Sequence, residues 1–228
     1  MNLYLKILYF YIQLCFLKLN SKEIEFTLLD IFLKKGDTFI DVGSNIGRYS
    51  LKASKLVKNT GNVFSFEPCK DIFFILCKLI ELGNYKNIIT FNLLLSDKAG
   101  KVHFKPIKTG SNKLLFVNTY TKSKIINSKN KNNYSVNLDS FDFNNIKLIK
   151  IDTEGNEYNI LTGSQKTLKK SKPIIIIENN KFISKIRKLL TSFNYKEIKI
   201  QNSRNLIFVN IKKYNKINSL IKKKLSKY

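Results

Sequence analysis

The sequence has no tryptophan, one histidine, three cysteines and three prolines in 228 residues, and only 16 acidic side chains against 41 basic ones. The lone His103 sits in an alternating Lys-Val-His-Phe-Lys run that reads as a strand. It is therefore a structural residue rather than a base, which leaves carboxylates to carry any proton transfer. Cys15, Cys69 and Cys77 have no CxxC spacing and no neighbouring histidine, which excludes a zinc site or a disulfide framework. They read as reduced residues of a cytosolic protein. No apolar run is long enough to span a bilayer: Lys6, Gln13 and Lys18 interrupt residues 3–19, and no small-residue cleavage site follows. A secretory signal is not expected, and the segment reads as a helix packed on the domain or as an interfacial anchor, packing being the preferred reading.

The shortage of acids leaves a net charge of +25, unevenly placed. Residues 166–228 hold 18 Lys and Arg against two acids, Glu178 and Glu197. Two readings stand side by side: coding bias in an AT-rich gene that leaves a solvated lysine-rich face, or an anionic partner such as nucleic acid, membrane or acidic glycan. Length suits one full domain. A hydrophobic content of 43% supports a sizeable core.

What is present is organised around residues 39–47, FIDVGSNIG. An apolar β-branched run ends in Asp41, followed by two glycines four apart and a helical pattern, which predicts a strand, a tight turn and a helix. Gly43 lets the turn close, and Gly47 lets a ligand or backbone approach the first helical turn. The spacing Asp-x-Gly-x-x-x-Gly is not the G-x-G-x-x-G that holds a pyrophosphate on a helix N-terminus. S-adenosylmethionine (SAM) carries no phosphate, and an acid with exposed backbone groups suits its amino-acid end.

Helical spacing of Ile24, Leu28, Ile31 and Phe32, introduced by an Asn20–Glu23 capping pattern, predicts a helix that Gly36 closes. A strand at 63–66 ends at Glu67, placed to hold both hydroxyls of a ribose. A helix over about 70–82 leads to a strand at 88–95 that delivers Ser96 and Asp97 where an adenine ring would sit. Residues 108–134 are rich in Lys, Asn, Ser and Thr and predict a long irregular connection that sets substrate selectivity. A fourth strand at 148–151 delivers Asp152, Thr153, Glu154 and Gly155, with a helix over 156–170. A fifth at 173–177 ends at Glu178 and Asn179. A helix around Ile186–Phe193 follows, then a hairpin of 195–200 with 206–211. In residues 214–228 an apolar stripe of Ile217, Leu220, Ile221 and Leu225 runs among lysines, which reads either as a helix lying on an anionic membrane or as a stripe packed on the domain with its lysines solvated. The organisation is an apolar segment 1–20, a domain 21–212 and a basic tail 213–228.

Five stretches in order, FIDVGSNIG (39–47), GNVFSFEP (61–68), LLSDKAG (94–100), VNLDSFD (136–142) and KIDTEGNEYNILTG (150–163), resemble the FkbM family of SAM-dependent O-methyltransferases. The resemblance implies an α/β, Rossmann-like class I methyltransferase fold, with a mostly parallel seven-stranded sheet and a C-terminal antiparallel hairpin. It implies methyl transfer to a hydroxyl, probable acceptors in the family being sugars, glycans and secondary metabolites. It puts cofactor contacts on Asp41, Gly43, Asn45, Gly47, Glu67 and Asp97, with Ser96 beside them, and catalytic roles on Asp152 and Glu154. Leu79, Gly83 and Asn137 depart from the family pattern. Asp152, Glu178 and Asn179 are also hard oxygen donors suited to Mg²⁺, against the alternative that Glu178 and Asn179 cap the next helix. Two other functions compete. An RNA methyltransferase would suit the charge, but the chain lacks an Asn-Pro-Pro-Tyr-type motif for a flipped base. An inactive methyltransferase-fold binding module would not need the acids that are intact here. The expected setting is cytoplasmic, with the tail touching the inner face of a membrane.

Overall fold

A computed structural model describes residues 5, 7–9, 23–112, 117–126, 133–201 and 203–226. Most of the apolar segment 3–19, with Cys15, Asn20 and the end of the basic tail at Lys227, lies outside the described residues.

The principal sheet has seven strands in the order β10-β11-β9-β8-β1-β2-β3. They are β1 (Thr38–Val42), β2 (Asn62–Phe66), β3 (Ile88–Phe91), β8 (Ile146–Ile151), β9 (Ile174–Glu178), β10 (Tyr195–Ile198) and β11 (Asn205–Asn210). Strands β3, β2, β1, β8 and β9 run parallel, and the β10–β11 hairpin closes the sheet antiparallel on β9. The central strands are almost wholly apolar, as strands covered on both faces must be.

Helices α1 (Ile24–Phe32), α2 (Arg48–Val57), α3 (Lys70–Leu82), α4 (Glu157–Thr162), α5 (Gln165–Ser171), α6 (Ile183–Ser192) and α7 (Ile211–Leu225) cover the sheet. On one face Leu28 and Phe32 of α1, Leu51 and Val57 of α2, and Ile217 and Ile221 of α7 meet Phe39, Val63, Leu148 and Ile176. On the other, Ile160, Leu168, Ile186 and Leu190 meet Ile40, Ile149, Ile175 and Phe208. The sheet order reverses between β1 and β8, and the crevice beyond their carboxyl ends is where such a sheet takes its ligand.

Several expectations are corrected. The strand predicted over 88–95 breaks after Phe91, where the Asn92 side chain donates to the carbonyls of Glu67 and Pro68. Leu94–Leu95 then forms β4 in a second sheet, with β5 (Gly100–Asn112), β6 (Val117–Ile126) and β7 (Asn133–Val136) in the order β4-β7-β5-β6. Most of the predicted irregular stretch 108–134 is therefore strand. Its polar composition hid Thr, Tyr, Val and Ile, which favour strands. The helix predicted over 156–170 is two, parted at Gly163, where a Cβ would come within 2.2 Å of the Ser96 carbonyl oxygen.

The basic tail is not a separate unit, because its boundary at 213 falls inside α7. Nor is its apolar stripe available to a membrane: Ile217 and Ile221 are buried in the core, Leu225 packs beside them, and only Leu220 is exposed. Burying the stripe on the domain satisfies the same hydrophobic drive that would have taken it into lipid. Among the described residues no helix is long and apolar enough to cross a membrane.

Candidate functional site

The loop after β1 is built from its own amide groups. Gly43 and Ser44 both donate to the Phe66 carbonyl, and Gly47 donates to Ser44. Asn45 donates to Glu67 Oε2 at 2.9 Å, and Ile46 donates to Asn45 Oδ1 at 2.8 Å. All five N–H groups of residues 43–47 are thus engaged within the protein, which corrects the expectation that they are exposed for a ligand. A pyrophosphate would find no free donor in this stretch.

The glycines serve the backbone rather than the ligand. Gly43 has φ +75°, and a Cβ there would sit 2.0 Å from the Asp152 carbonyl oxygen. Gly47 has φ +85°, and its Cβ would meet Leu76 of α3 at 2.4 Å. Asn45 is exposed at φ +52°.

Asp41 is fully buried, which corrects its expected role as a direct ligand contact. Its side chain lies on the α1/α2 face of the sheet. There its Oδ2 accepts from Ser50 Oγ at 2.6 Å, and Ser50 lies 2.7 Å from Ser65 Oγ. Oδ1 has no hydrogen-bond partner. Burial pushes its pKa up, against the attraction of nearby Lys150.

Glu67, at the end of β2, is 7% exposed. Besides Asn45, it accepts from the Cys69 N–H at 2.8 Å, so one carboxylate ties the glycine loop to the start of α3. Burial pushes its pKa up to about 7, despite those two amides. Each oxygen keeps a second lone pair, as hydroxyl recognition requires. Ser96 is buried and donates to Asp97 Oδ1 at 3.0 Å. Both stand at the end of β4, tied to the next turn because Asn156 Nδ2 donates to the Leu95 carbonyl at 2.8 Å.

That turn brings together Asp152, Glu154 and Glu178, with an oxygen from each lying within 4.8 Å of the others. The cluster shares Asp152 and Glu178 with the expected trio of Asp152, Glu178 and Asn179, and adds Glu154. Asn179 is exposed and caps nothing; the helix that follows has Phe182 at its N-cap with no side-chain cap, and Asn180 Oδ1 accepts from the Phe182 N–H at 2.8 Å in the turn before it. Glu178 is pushed up to about 7 by burial first, then by Asp152, Glu154 and Glu157. Glu154 takes φ +60°, an uncommon conformation for a side chain that is not glycine.

Two residues that hold this turn escaped the sequence reading. Glu157 is fully buried; its Oε1 accepts from the Thr153 and Gly155 amides and the Thr153 hydroxyl, and its Oε2 from Asn180. Lys150, buried in β8, reaches Asp152 Oδ2 at 3.0 Å and lies over the Tyr49 ring. Burial alone would depress its pKa, but Asp152 and Asp41 lift it above the ordinary lysine value. Since Ser65, Asp41 and Lys150 are register partners across β2, β1 and β8, they form one polar row through an otherwise apolar layer. The signal was there: one charge inside Leu-Ile-Lys-Ile needs an acid beside it.

An acidic end of the sheet, with its amide donors already used, fits a cation bearing hydroxyl and amine groups. The donor set therefore fits SAM, with Glu67 for the ribose hydroxyls and the acids around it for the positive charge.

This fold is the Rossmann-like one of the methyltransferase class. The methyltransferase FkbM domain profile matches residues 41–197, and the chain belongs to that family. Among solved structures, a methyltransferase FkbM from Methylobacillus flagellatus KT is similar at 14% identity and TM-score 0.53, over 87% of this chain. The present chain spans 47% of that protein's length. A putative rRNA methylase from Clostridium thermocellum matches at 14% identity and TM-score 0.53, covering 83% of this chain and 96% of the other. A SAM-dependent O-methyltransferase from Thermotoga maritima matches at 12% identity and TM-score 0.51, covering 84% and 68%. At these identities the similarity is one of fold. No curated protein matches the sequence.

Proposed function

We propose that this methyltransferase acts on a hydroxyl group of a sugar, glycan or secondary metabolite. The observation that carries the reading is the cluster of Asp152, Glu154 and Glu178 at the cofactor end of the sheet. SAM, when bound, supplies an electrophilic methyl group. The chain must hold the acceptor hydroxyl in line and take its proton, since an alkyl alcohol is a poor nucleophile at neutral pH. Asp152 is the candidate base: its side chain is 35% exposed, and Lys150 fixes one of its oxygens. Glu154 lines the same turn, and Glu67 holds the cofactor.

Three clustered carboxylates are also hard donors of the kind that holds Mg²⁺, and a metal there would activate the same hydroxyl. Suppression of turnover by EDTA and restoration by Mg²⁺ would favour that version. Unpaired Cys69 and Cys77 suit a reducing, cytoplasmic setting. RNA is the second reading, favoured by the net charge of +25.

The test is labelled SAM with a panel of sugars, glycans, small alcohols and RNA, read by mass. Methylated hydroxyl products are expected, and label in RNA alone would overturn the reading. Asp152→Asn should bind SAM normally and lose turnover. Glu67→Ala should weaken SAM binding by about 1.5–3 kcal/mol in calorimetry, the range for hydrogen bonds to a charged group.

A further inference from the structure

The two ends of the sheet carry opposite charge. Acids gather at the carboxyl ends of the strands, whereas lysines lie in or just before the start of each parallel strand, Lys86 near β3, Lys58 near β2, Lys35 near β1, Lys147 within β8 and Lys172 near β9, with Asp37 an acid among them. Three of these, Lys35, Lys58 and Lys86, join Lys55 around a single cavity of about 560 Å³, between the end of α2 and the start of β3.

No acid lines that cavity; the other lining groups are amides, hydroxyls and the Tyr85 ring. Among the described residues none of the four lysines is in an ion pair. Four like charges facing one space repel each other, and an anion placed among them relieves that repulsion.

A helix carboxyl end would ordinarily oppose an anion through its free carbonyls. Here two carbonyls of that last turn, Ser54 and Val57, and that of Lys58 just beyond it have partners. Asn87 Nδ2 donates to the carbonyls of Ser54 at 3.2 Å and Lys58 at 2.8 Å, and the Gly36 N–H donates to Val57 at 2.9 Å. Lys58 itself takes φ +57° and ψ −174°, a conformation that few residues other than glycine adopt. The negative end of α2 is thus partly masked, and four lysines line the space beside it.

We infer that this cavity binds a phosphate-bearing anion, independently of the methyl-transfer site. Lysine ammonium groups on long stems suit tetrahedral oxyanions approached from several sides. The space is open to solvent and wider than one phosphate group, which leaves room for a diphosphate or a phosphate carried on a larger body. That body is either a free metabolite or a lipid headgroup.

The experiment is calorimetry of the full chain with pyrophosphate at low and high salt, alongside co-sedimentation with phosphatidylglycerol vesicles. Two paired variants, Lys35→Gln with Lys86→Gln and Lys55→Gln with Lys58→Gln, are compared with a distant control, Lys166→Gln with Lys188→Gln. Saturable pyrophosphate binding that falls at least about tenfold in either cavity pair and holds in the control supports the site, with a free phosphate ligand. Vesicle binding with the same dependence supports it with a lipid source. SAM affinity should be the same in all variants, which separates this result from the fate of the proposed acceptor. Absence of both binding modes at low salt, or equal loss in cavity and control variants, would overturn the site and leave only diffuse charge.

Discussion

Lys150 and Glu178 carry opposite electrostatic strain, and each predicts a different measurement. Replacing Lys150 by Met leaves buried Asp41 and partly buried Asp152 without their cation. Urea denaturation should show a loss of about 3 kcal/mol, the lower end for a broken buried pair because Asp152 still meets water. Glu178 works the other way. Its pKa is raised from 4.5 to about 7, so the folded state binds its proton more tightly than the unfolded chain does. Its contribution to stability is therefore complete below pH 4.5 and is lost as pH rises towards 7. Glu178→Gln should match the wild type in melts at acid pH and exceed it by about 1–2 kcal/mol above neutrality, measured in EDTA. Much of this chemistry was legible from residue order alone: Glu67, Asp152, Glu154 and Glu178 all sit at strand ends. The inward turn of Asp41 was not, because strand alternation fixes a side chain's face only once its neighbours are known. Lys150 and Glu157 were missed because their partners lie across the sheet or a tight turn.

At the scale of elements, the parallel strands could be read from their apolar, β-branched runs, and α3 falls over the span expected of it. Of the second sheet only the alternating run around His103 could, since the other polar strands pair with distant segments and leave little periodic trace. Helix α7 gives the sharpest contrast between sequence and packing. Its lysines suggested a free tail, yet Ile217 and Ile221 are 8% and 2% exposed against the sheet. Removing residues 211–226 should cost about 3–6 kcal/mol for those two side chains alone, seen as a lower urea midpoint. A tail that merely hung from the domain would leave the midpoint unchanged.

For the whole molecule, the placement of charge matters more than its sum. A chain of net charge +25 nonetheless clusters Asp152, Glu154 and Glu178 at the carboxyl ends of its strands. A cationic cofactor is drawn to that end by a local field that opposes the global one. SAM affinity should therefore weaken as salt rises, as screening predicts for an exposed acidic mouth; a repulsive net charge would give the reverse slope. Calorimetry across a salt series reads the sign. The packing of α1 on α7 reaches beyond stability. Asp30 of α1 pairs with Lys224, and buried Glu25 receives Ser203 and Asn205, partners some 180 residues away. During synthesis, Leu28 and Phe32 emerge early and gain part of their cover from α2 and the first strands, but the α7 side of that layer stays open until the end of the chain has left the ribosome. The nascent chain therefore carries an incompletely covered apolar face for most of its translation, the kind of surface a chaperone holds.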